Sequence, residues 1–330
     1  MRLTDKFGRP ITDLRISITD RCNYKCVYCR TGNEGALYGD LPFDDYLRMA
    51  RVLAGMGVTK IRLTGGEPLL RGDLPAIILA IKRDLGVADV ALTTNGWFLG
   101  QQAGALRAAG LDRLNVSVDS LDEETGGRMN GLGFSVSRVL AGIDAAAAAG
   151  FPIKINCVVQ RGVNEGEIIS LCEYFREKGH TLRFIEFMDV GNTNHWSHSQ
   201  VVTAKEIVER VSAAWALEPV GPAYRGEVAA RYRYADGRGE IGIVSSVTEP
   251  FCKDCNRARL SADGKLFTCL FASAGHDVLG VVRSGADDRA VSEFVSGIWR
   301  ARSDRYSDER AKVLASGKER KKVEMSYIGG

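Results

Sequence analysis

Residues 13–29 have the sequence DLRISITDRCNYKCVYC, in which a short apolar strand pattern leads directly into three cysteines. The cysteines are Cys22, Cys26 and Cys29, and their spacing is C-x3-C-x2-C. A second strand pattern, Lys60–Thr64, is followed by Gly65-Gly66-Glu67-Pro68. Grouped cysteines in a reducing compartment more often hold metal or take part in chemistry than form disulfides. These two strand ends therefore mark the place where a functional site is expected.

The chain has eight cysteines, and a second triplet lies far downstream. It consists of Cys252, Cys255 and Cys269, with the spacing C-x2-C-x13-C. A structural zinc site takes four ligands, so each triplet is one ligand short of it. Three thiolates on an iron–sulfur cluster leave one iron free to bind a small molecule. Zinc remains the alternative at this point. The other two, Cys157 and Cys172, lie in apolar patterns and are predicted to be core residues.

Short strand patterns alternate with helical patterns through the first two thirds of the chain. The predicted strands are Leu14–Thr19, Lys60–Thr64, Val90–Thr94, Arg113–Val118, Ile153–Val159 and Leu182–Met188. The predicted helices are Phe43–Met56, Leu74–Leu85, Leu99–Ala109, Ser135–Ala149, Glu165–Lys178 and Ala204–Ala214. This alternation predicts an α/β fold with a parallel sheet. Six βα units indicate an incomplete (β/α)6 TIM-type barrel, and such barrels place their active sites at the carboxyl ends of the strands.

The pattern changes from Trp215 onward. Two hairpins are predicted, one from Val228–Tyr234 and Glu240–Ser246, the other from Arg257–Ser261 and Lys265–Leu270. We expect a C-terminal α+β extension with antiparallel strands that closes the barrel. The corresponding domains are residues 1–214 and residues 215–330. The charge-dense stretch from Arg302 to Glu324 is most simply a solvated helix or loop.

Composition excludes several classes of protein. The 44 basic and 41 acidic residues give a net charge of +3, which is small for a protein that binds nucleic acid in bulk. No apolar stretch approaches the roughly 18 residues of a membrane span, and the first residues lack the apolar run of a secretory signal. We therefore expect a cytoplasmic enzyme with neither a nucleic-acid partner nor a membrane partner.

The two strand-end motifs, with Tyr28 between the last two cysteines of the first triplet, resemble those of the radical S-adenosylmethionine enzymes. Within that superfamily the chain resembles the GTP 3′,8-cyclases of molybdenum cofactor biosynthesis. The likeness is carried by residues 13–23 and 60–64, by FIEFM at 184–188, by F-C-x-x-C-N-R-x-R-L at 251–260 and by the terminal Gly329-Gly330. It spans nearly the whole chain.

The resemblance implies two [4Fe–4S] clusters. The first, on Cys22, Cys26 and Cys29, would bind S-adenosylmethionine, and the second, on Cys252, Cys255 and Cys269, would hold the guanine of GTP. The implied contacts of S-adenosylmethionine are Tyr28, Gly66, Ser117 and Met188. The implied contacts of GTP are Arg15, Arg62, Thr93, Lys154, Arg257 and Arg259, with Arg183, Arg257 and Arg259 as catalytic side chains. GTP carries about four negative charges, so a pocket for it needs several cations and forked donors.

The implied activity is that of a radical lyase, the first step of molybdenum cofactor biosynthesis. A 5′-deoxyadenosyl radical would take the ribose 3′-hydrogen of GTP, giving (8S)-3′,8-cyclo-7,8-dihydroguanosine 5′-triphosphate. Implied partners are an external flavodoxin- or ferredoxin-like electron donor, the cyclic pyranopterin monophosphate synthase (MoaC) that takes the product, and a second copy in a homodimer.

Two alternatives remain open from the sequence. One is a peptide-modifying radical S-adenosylmethionine enzyme with an auxiliary cluster, and the other is a non-enzymatic zinc-stapled module or electron carrier. The sequence assigns no role to the glycine-rich segment Gly126–Gly131 or to Arg30, where many relatives have methionine and proline. It also does not indicate whether the Gly-Gly tail is ordered.

Overall fold

The structure is a computed structural model that describes residues 3–29, 36–315 and 322–329. Arg30 and Gly330, on which the sequence raised questions, lie outside these residues. The strands are β1 (Asp13–Ser17), β2 (Lys60–Thr64), β3 (Asp89–Thr94), β4 (Arg113–Ser117), β5 (Ile153–Val159), β6 (Thr181–Glu186), β7 (Leu217–Val220), β8 (Ala230–Tyr234), β9 (Glu240–Val244), β10 (Arg257–Leu260), β11 (Lys265–Phe267) and β12 (His276–Asp277). The helices are α1 (Phe43–Gly55), α2 (Leu74–Arg83), α3 (Leu99–Ala108), α4 (Glu123–Asn130), α5 (Val136–Ala148), α6 (Ile168–Glu177), α7 (Ala204–Ala214), α8 (Val278–Arg283), α9 (Asp288–Ala301), α10 (Tyr306–Ala315) and α11 (Met325–Ile328). Short 3-10 helices lie at Pro68–Leu70, Glu165–Glu167, His198–Gln200 and Cys252–Asp254.

All of these strands belong to one sheet, in the order β12-β11-β10-β1-β2-β3-β4-β5-β6-β9-β8-β7. The eight strands from β10 to β9 are parallel to one another. Antiparallel strands follow at both edges. The predicted incomplete α/β barrel is therefore confirmed, and the sheet does not close. The C-terminal hairpins extend the two edges of the sheet rather than forming a separate layer, whereas the division into two domains at residue 214 stays a prediction.

Most element predictions agree with the structure to within two residues. The bounds of β2 and β5 are those predicted, and the predicted helix start Ser135 is the N-cap of α5, its hydroxyl accepting from the Arg138 N–H at 3.4 Å. Helix α4 was missed, because its sequence EETGGRMN contains two glycines and has low helix propensity. Asp122 stabilises its start by accepting from the Thr125 N–H at 2.8 Å.

Alternation along the inner strands separates the core from the site. Leu14 and Ile16 on β1 are fully buried in the core that the sheet forms with the surrounding helices. Arg15 lies between them in sequence, so its side chain leaves the opposite face of the sheet. Cys157 and Cys172 are buried in the same core, as predicted. None of the helices in the described part of the chain is both long and apolar enough to cross a membrane.

Candidate active site

Strand register gathers the predicted arginines on the inner face of the sheet. Arg15 pairs with Arg259 on one side and with Arg62 on the other. Arg62 and Arg259 are buried, while Arg15 is partly exposed to the barrel interior. Burial, followed by the charges of Arg259 and Arg62, holds the pKa of Arg15 well below its usual value. The three guanidinium groups therefore destabilise one another's charge in the ligand-free chain.

Arg183 adds a further cation to the row formed by Arg259, Arg15 and Arg62. Arg183 on β6 lies beside Asn156 in the register and donates to Asn115 Oδ1 at 2.6 Å. Burial, followed by the charge of Arg62, lowers the pKa of Arg183 to about 9. The Nε atoms of Arg15, Arg62 and Arg183 are buried and have no hydrogen-bond partner within the described residues. The inner face thus carries more donors and positive charge than its own side chains satisfy.

Asp13 supplies a negative charge to this cationic face. It lies opposite Arg257 in the register of β1 and β10, and its carboxylate is 3.6 Å from the Lys60 ammonium. Burial alone would raise the pKa of Asp13, but Arg15, Lys60 and other cations outweigh it and lower the pKa. One carboxylate among several guanidinium groups leaves this face suited to a polyanion.

A cavity of about 320 Å³ opens onto the same face. All the site residues predicted from the sequence line it except Lys154: Arg15, Cys22, Cys26, Tyr28, Cys29, Arg62, Gly66, Thr93, Ser117, Arg183, Met188, Cys252, Cys255, Arg257, Arg259 and Cys269. Lys154 is half-buried on β5, where burial and then the charge of Arg183 lower its pKa. The fold thus brings together two cysteine triplets that are more than 200 residues apart in the sequence.

The glycine-rich turn after β2 packs directly against the base of the first cysteine loop. The N–H groups of Gly66 and Glu67 donate to the carbonyls of Thr19 and Arg21 at 2.8 and 2.7 Å. A Cβ on Gly66 would lie 2.5 Å from the Arg21 carbonyl carbon, so a side chain there would displace the loop. Within the loop the Cys29 N–H donates to the Cys26 carbonyl at 2.9 Å. The two motifs therefore form one unit.

Two carboxyl groups that line the cavity, the buried Glu67 and the half-buried Asp119, were not among the predicted site residues. Glu67 accepts from the N–H groups of Leu69 and Asn95 and from the Thr94 hydroxyl at 2.7 to 2.9 Å, and burial raises its pKa to about 7.

Asp119 accepts from the Tyr28 hydroxyl at 2.7 Å and from the Val158 N–H at 2.9 Å. Burial raises the pKa of Asp119 to about 6. Both carboxyl groups follow predicted strands, which is the signal that could have found them.

The second triplet lies beside cationic side chains. Arg257 and Arg302 donate to the Cys255 sulfur at 3.4 and 3.2 Å. Burial would raise the pKa of Cys255, but the charges of Arg257 and Arg302 outweigh it and lower the pKa to about 6. Burial, followed by the charge of Asp304, raises the pKa of Cys269 to about 12.

The interpretation of the stretch that begins at Arg302 as a solvated segment is wrong for two of its arginines. Arg302 and Arg310 are both buried. Arg302 donates to the Cys255 carbonyl at 2.7 Å, and Arg310 pairs with Asp189 at 2.8 Å. Charge runs are usually solvated, but here the partners come from distant parts of the fold.

The C-terminal segment reaches the cavity. Arg259 donates to the Gly329 carbonyl, Tyr327 donates to Asp263, and Met325 lines the cavity. The described part of the predicted Gly-Gly tail is therefore in contact with the arginine row.

The donor set of each triplet fits the implied iron–sulfur chemistry. The charges of Cys29 and Cys22 raise the pKa of Cys26 after the larger effect of burial, and those of Cys255 and Cys252 act likewise on Cys269, so the thiols of each triplet are neighbours. Cysteine thiolates hold such clusters, four in the usual case, so three thiols would leave one iron open. In residues 3–29, 36–315 and 322–329, no three His, Cys, Asp or Glu side chains are grouped to hold a single metal ion.

The open parallel barrel, with a C-x3-C-x2-C loop after β1 and Gly-Gly-Glu-Pro after β2, defines a radical S-adenosylmethionine protein. Residues 16–175 match the family model of the Radical SAM superfamily, and residues 180–308 match that of Molybdenum Cofactor Synthesis C. The chain belongs to the GTP 3′,8-cyclase family.

That membership rests on curated relatives that carry the name GTP 3′,8-cyclase. The protein of Acidothermus cellulolyticus is 48% identical over 99% of both chains. That of Xanthomonas axonopodis pv. citri is 50% identical over 99% of both. That of Staphylococcus saprophyticus is 45% identical over 100% of this chain and 99% of its own.

Solved structures of more distant proteins share the fold. Streptococcus suis SuiB bound to S-adenosylmethionine superposes with a TM-score of 0.64 at 15% identity, covering 88% of this chain and 69% of that one. The enzyme anSMEcpe with bound AdoMet gives a TM-score of 0.52 at 20% identity, covering 62% of this chain and 58% of that one. At these identities the likeness shows the fold alone.

The names of the curated relatives favour the cyclase over the peptide-modifying and zinc-stapled alternatives.

Proposed function

We propose that this chain is a GTP 3′,8-cyclase, a radical S-adenosylmethionine lyase that converts GTP to (8S)-3′,8-cyclo-7,8-dihydroguanosine 5′-triphosphate. The observation that carries the proposal is one cavity lined by both cysteine triplets and by a row of guanidinium groups. Family membership supports the same assignment.

The guanidinium row supports a nucleoside triphosphate as substrate. Arg15, Arg62 and Arg259 offer forked donors at one level of the sheet, and guanidinium groups bind phosphate oxygens in pairs. A triphosphate would supply the negative charge that this face lacks and would partner the orphaned Nε atoms. The Arg62 guanidinium, 3.3 Å from the Thr93 hydroxyl, is oriented for this purpose before the ligand binds.

The first triplet and its surroundings support S-adenosylmethionine as cosubstrate. When bound, an iron–sulfur cluster on Cys22, Cys26 and Cys29 supplies the electron that cleaves S-adenosylmethionine to methionine and a 5′-deoxyadenosyl radical. The absence of a side chain at Gly66 lets the turn after β2 pack directly against the cysteine loop, and Gly66, Ser117 and Met188 line the cavity that would receive S-adenosylmethionine.

The nucleotide is isomerised, while S-adenosylmethionine takes up one electron and the hydrogen atom from GTP and leaves as methionine and 5′-deoxyadenosine. One hydrogen atom leaves ribose C3′, C3′ bonds to C8 of guanine, and one electron and one proton return to the nucleotide. Arg183 is held by Asn115 and remains protonated near neutral pH, so it can stabilise negative charge that develops on the base. The second triplet, with Arg257 beside it, would hold a cluster that anchors the guanine.

The remaining partners belong to the same proposal. The radical step needs an external flavodoxin- or ferredoxin-like electron donor, and the product would pass to cyclic pyranopterin monophosphate synthase (MoaC). A homodimer and a cytoplasmic location are proposed with them, since a reducing compartment keeps the six thiols able to bind iron.

The test is an anaerobic incubation of the iron-loaded chain with GTP, S-adenosylmethionine and a chemical reductant. We expect 5′-deoxyadenosine and the cyclised nucleotide in equal amounts. Cys22→Ala should form neither product while retaining the iron of the second site. An iron-replete wild-type chain that yields 5′-deoxyadenosine but leaves GTP unchanged would overturn the proposal.

A further inference from the structure

The C-terminal end of α4 and the turn that follows it pair with the first cysteine loop through main-chain hydrogen bonds. The Lys25 N–H donates to the Asn130 carbonyl at 2.9 Å, and the Val27 N–H donates to the Met129 carbonyl at 3.0 Å. Lys25 and Val27 flank Cys26 on both sides. Residues 129–134, here called the bracing turn, therefore hold the middle of the loop that carries the three thiols.

Gly131 is the point of closest approach. Its φ is +74°, and a Cβ there would lie 2.9 Å from the Lys25 carbonyl carbon and closer still to the carbonyl oxygen. Main-chain atoms cannot move aside as a flexible side chain can, so any side chain at this position would push the cysteine loop away. Gly133, two residues on, has a similar φ of +68° but nothing within 4 Å of its Cβ position.

Asn130 closes the bracing turn on itself. Its Oδ1 accepts from the N–H groups of Leu132 and Phe134 at 3.0 and 3.1 Å, and its Nδ2 donates to the Phe134 carbonyl at 2.8 Å. The Phe134 ring in turn stacks on Tyr24 of the cysteine loop, with ring centroids 4.9 Å apart.

The end of α4 is also held in place by the side chain of Met129. The Met129 side chain is fully buried against Tyr28 and Phe187. Main-chain pairing, ring stacking and apolar contact thus all join the bracing turn to the cysteine loop.

We propose that the bracing turn is a positioning element for the first iron–sulfur site, with Gly131 as the residue that sets the distance between the turn and the thiols. The inference rests on the proposed function, which places a cluster on Cys22, Cys26 and Cys29. The main-chain hydrogen bonds of the turn reach the loop at Lys25 and Val27, so the turn acts on the backbone on both sides of Cys26. Residues that orient metal ligands from outside typically change metal affinity about 10-fold to 100-fold when altered.

The test compares Gly131→Ala with the matched control Gly133→Ala in the full-length, anaerobically iron-loaded chain. Both substitutions impose a left-handed backbone on alanine, but only the first meets the Lys25 carbonyl. The measurements are iron and sulfide per chain, the rate at which a chelator removes iron, and the midpoint potential of the first site. We expect Gly131→Ala to lose iron from that site about 10-fold or more faster than wild type, with a shifted potential, while Gly133→Ala matches wild type.

A double variant separates a local from a global effect. Cys22→Ala holds iron at the second site only, so adding Gly131→Ala to it should leave the rate of iron release unchanged. Faster release in the double variant, or equal loss in Gly131→Ala and Gly133→Ala, would overturn the inference. If Cys22→Ala itself kept the full iron content, the cluster assignment of the proposed function would fail instead.

Asn130→Ala keeps the inference testable should Gly131→Ala not fold, as judged by circular dichroism. It removes three hydrogen bonds of the turn and introduces no collision. Faster iron release at the first site is expected again, and release at the wild-type rate would count against the proposal.

Discussion

Replacing Arg15 by methionine should stabilise the ligand-free chain and weaken its binding of GTP. Arg15 lies between Arg259 and Arg62, its Nε has no partner in the described residues, and burial together with these charges holds its pKa well below the usual value. Replacing a buried ion pair by apolar groups of similar volume is often stabilising by about 1 to 4 kcal/mol, and the opposing carboxylate here, Asp13, keeps Lys60 as a partner at 3.6 Å when Arg15 is removed. Because Arg15 is partly exposed to the cavity, we expect about 1 to 2 kcal/mol, measured by urea unfolding of the iron-free chain.

The same substitution removes charge-assisted hydrogen bonds to the triphosphate. Such bonds contribute about 1.5 to 3 kcal/mol, so the Kd for GTP should rise about 10-fold to 150-fold in calorimetry on the iron-loaded chain. Arg113→Met is the control, since Arg113 pairs with Asp89 at 2.8 Å away from the cavity. It should cost at most about 1 kcal/mol and leave GTP binding unchanged. A less stable Arg15→Met chain, or one whose Kd changes less than twofold, would refute the reasoning.

Three further changes probe the site and its supports. Burial raises the pKa of Glu67 from 4.5 to about 7, so between these pH values the folded chain retains a proton that the unfolded chain releases. The free energy of unfolding should therefore fall as pH rises through this window. Glu67→Gln should remove that pH dependence in urea unfolding, and equal slopes of unfolding free energy against pH in the variant and the wild type would contradict the prediction. Arg257→Ala should weaken GTP binding in calorimetry yet keep the iron content, because Arg302 still donates to the Cys255 sulfur; iron loss would show that Arg257 is structural. Glu186→Ala should lower the free energy of unfolding by about 2 kcal/mol or more, since the buried carboxylate accepts from the buried Ala204 N–H and from three part-buried donors of Val247 and Thr248 at about 0.5 to 1.5 kcal/mol each, and a loss below about 1 kcal/mol would mean that water replaces the carboxylate.

The strands and most helices could be predicted because local patterns determine them. The period of two in β1 places Leu14 and Ile16 on one face and Arg15 on the other, and this is visible in the sequence. The register between strands is not visible. Arg259 belongs to a predicted hairpin, yet its decisive neighbour is Arg15, 244 residues earlier. Six cysteines could be grouped by spacing, whereas their meeting at one cavity follows from pairings of this kind.

The site residues that the sequence did not predict were missed for a related reason. Arg302 lies at the start of a run of charges, and its burial depends on partners in the Asp5 carboxylate and the Cys255 carbonyl. Asp119 and Glu67 were visible as strand-end residues, but only the fold shows that each carboxyl group lines the cavity and accepts several hydrogen bonds. Helix α4 is supported by contacts with the cysteine loop, and helix propensity does not take such tertiary contacts into account.

The order of the strands in the open sheet has a consequence for how the protein folds during synthesis. Strand β1 obtains its second neighbour only from β10, so a ribosome must synthesise about 260 residues before that edge can be covered. Until then the nascent chain carries an open parallel strand on each side, the kind of template on which chains aggregate. Non-local pairing of this sort also slows folding. We therefore expect chains truncated before β9 to be insoluble even though they contain the six strands from β1 to β6, which makes the C-terminal hairpins a requirement for folding as well as for the site.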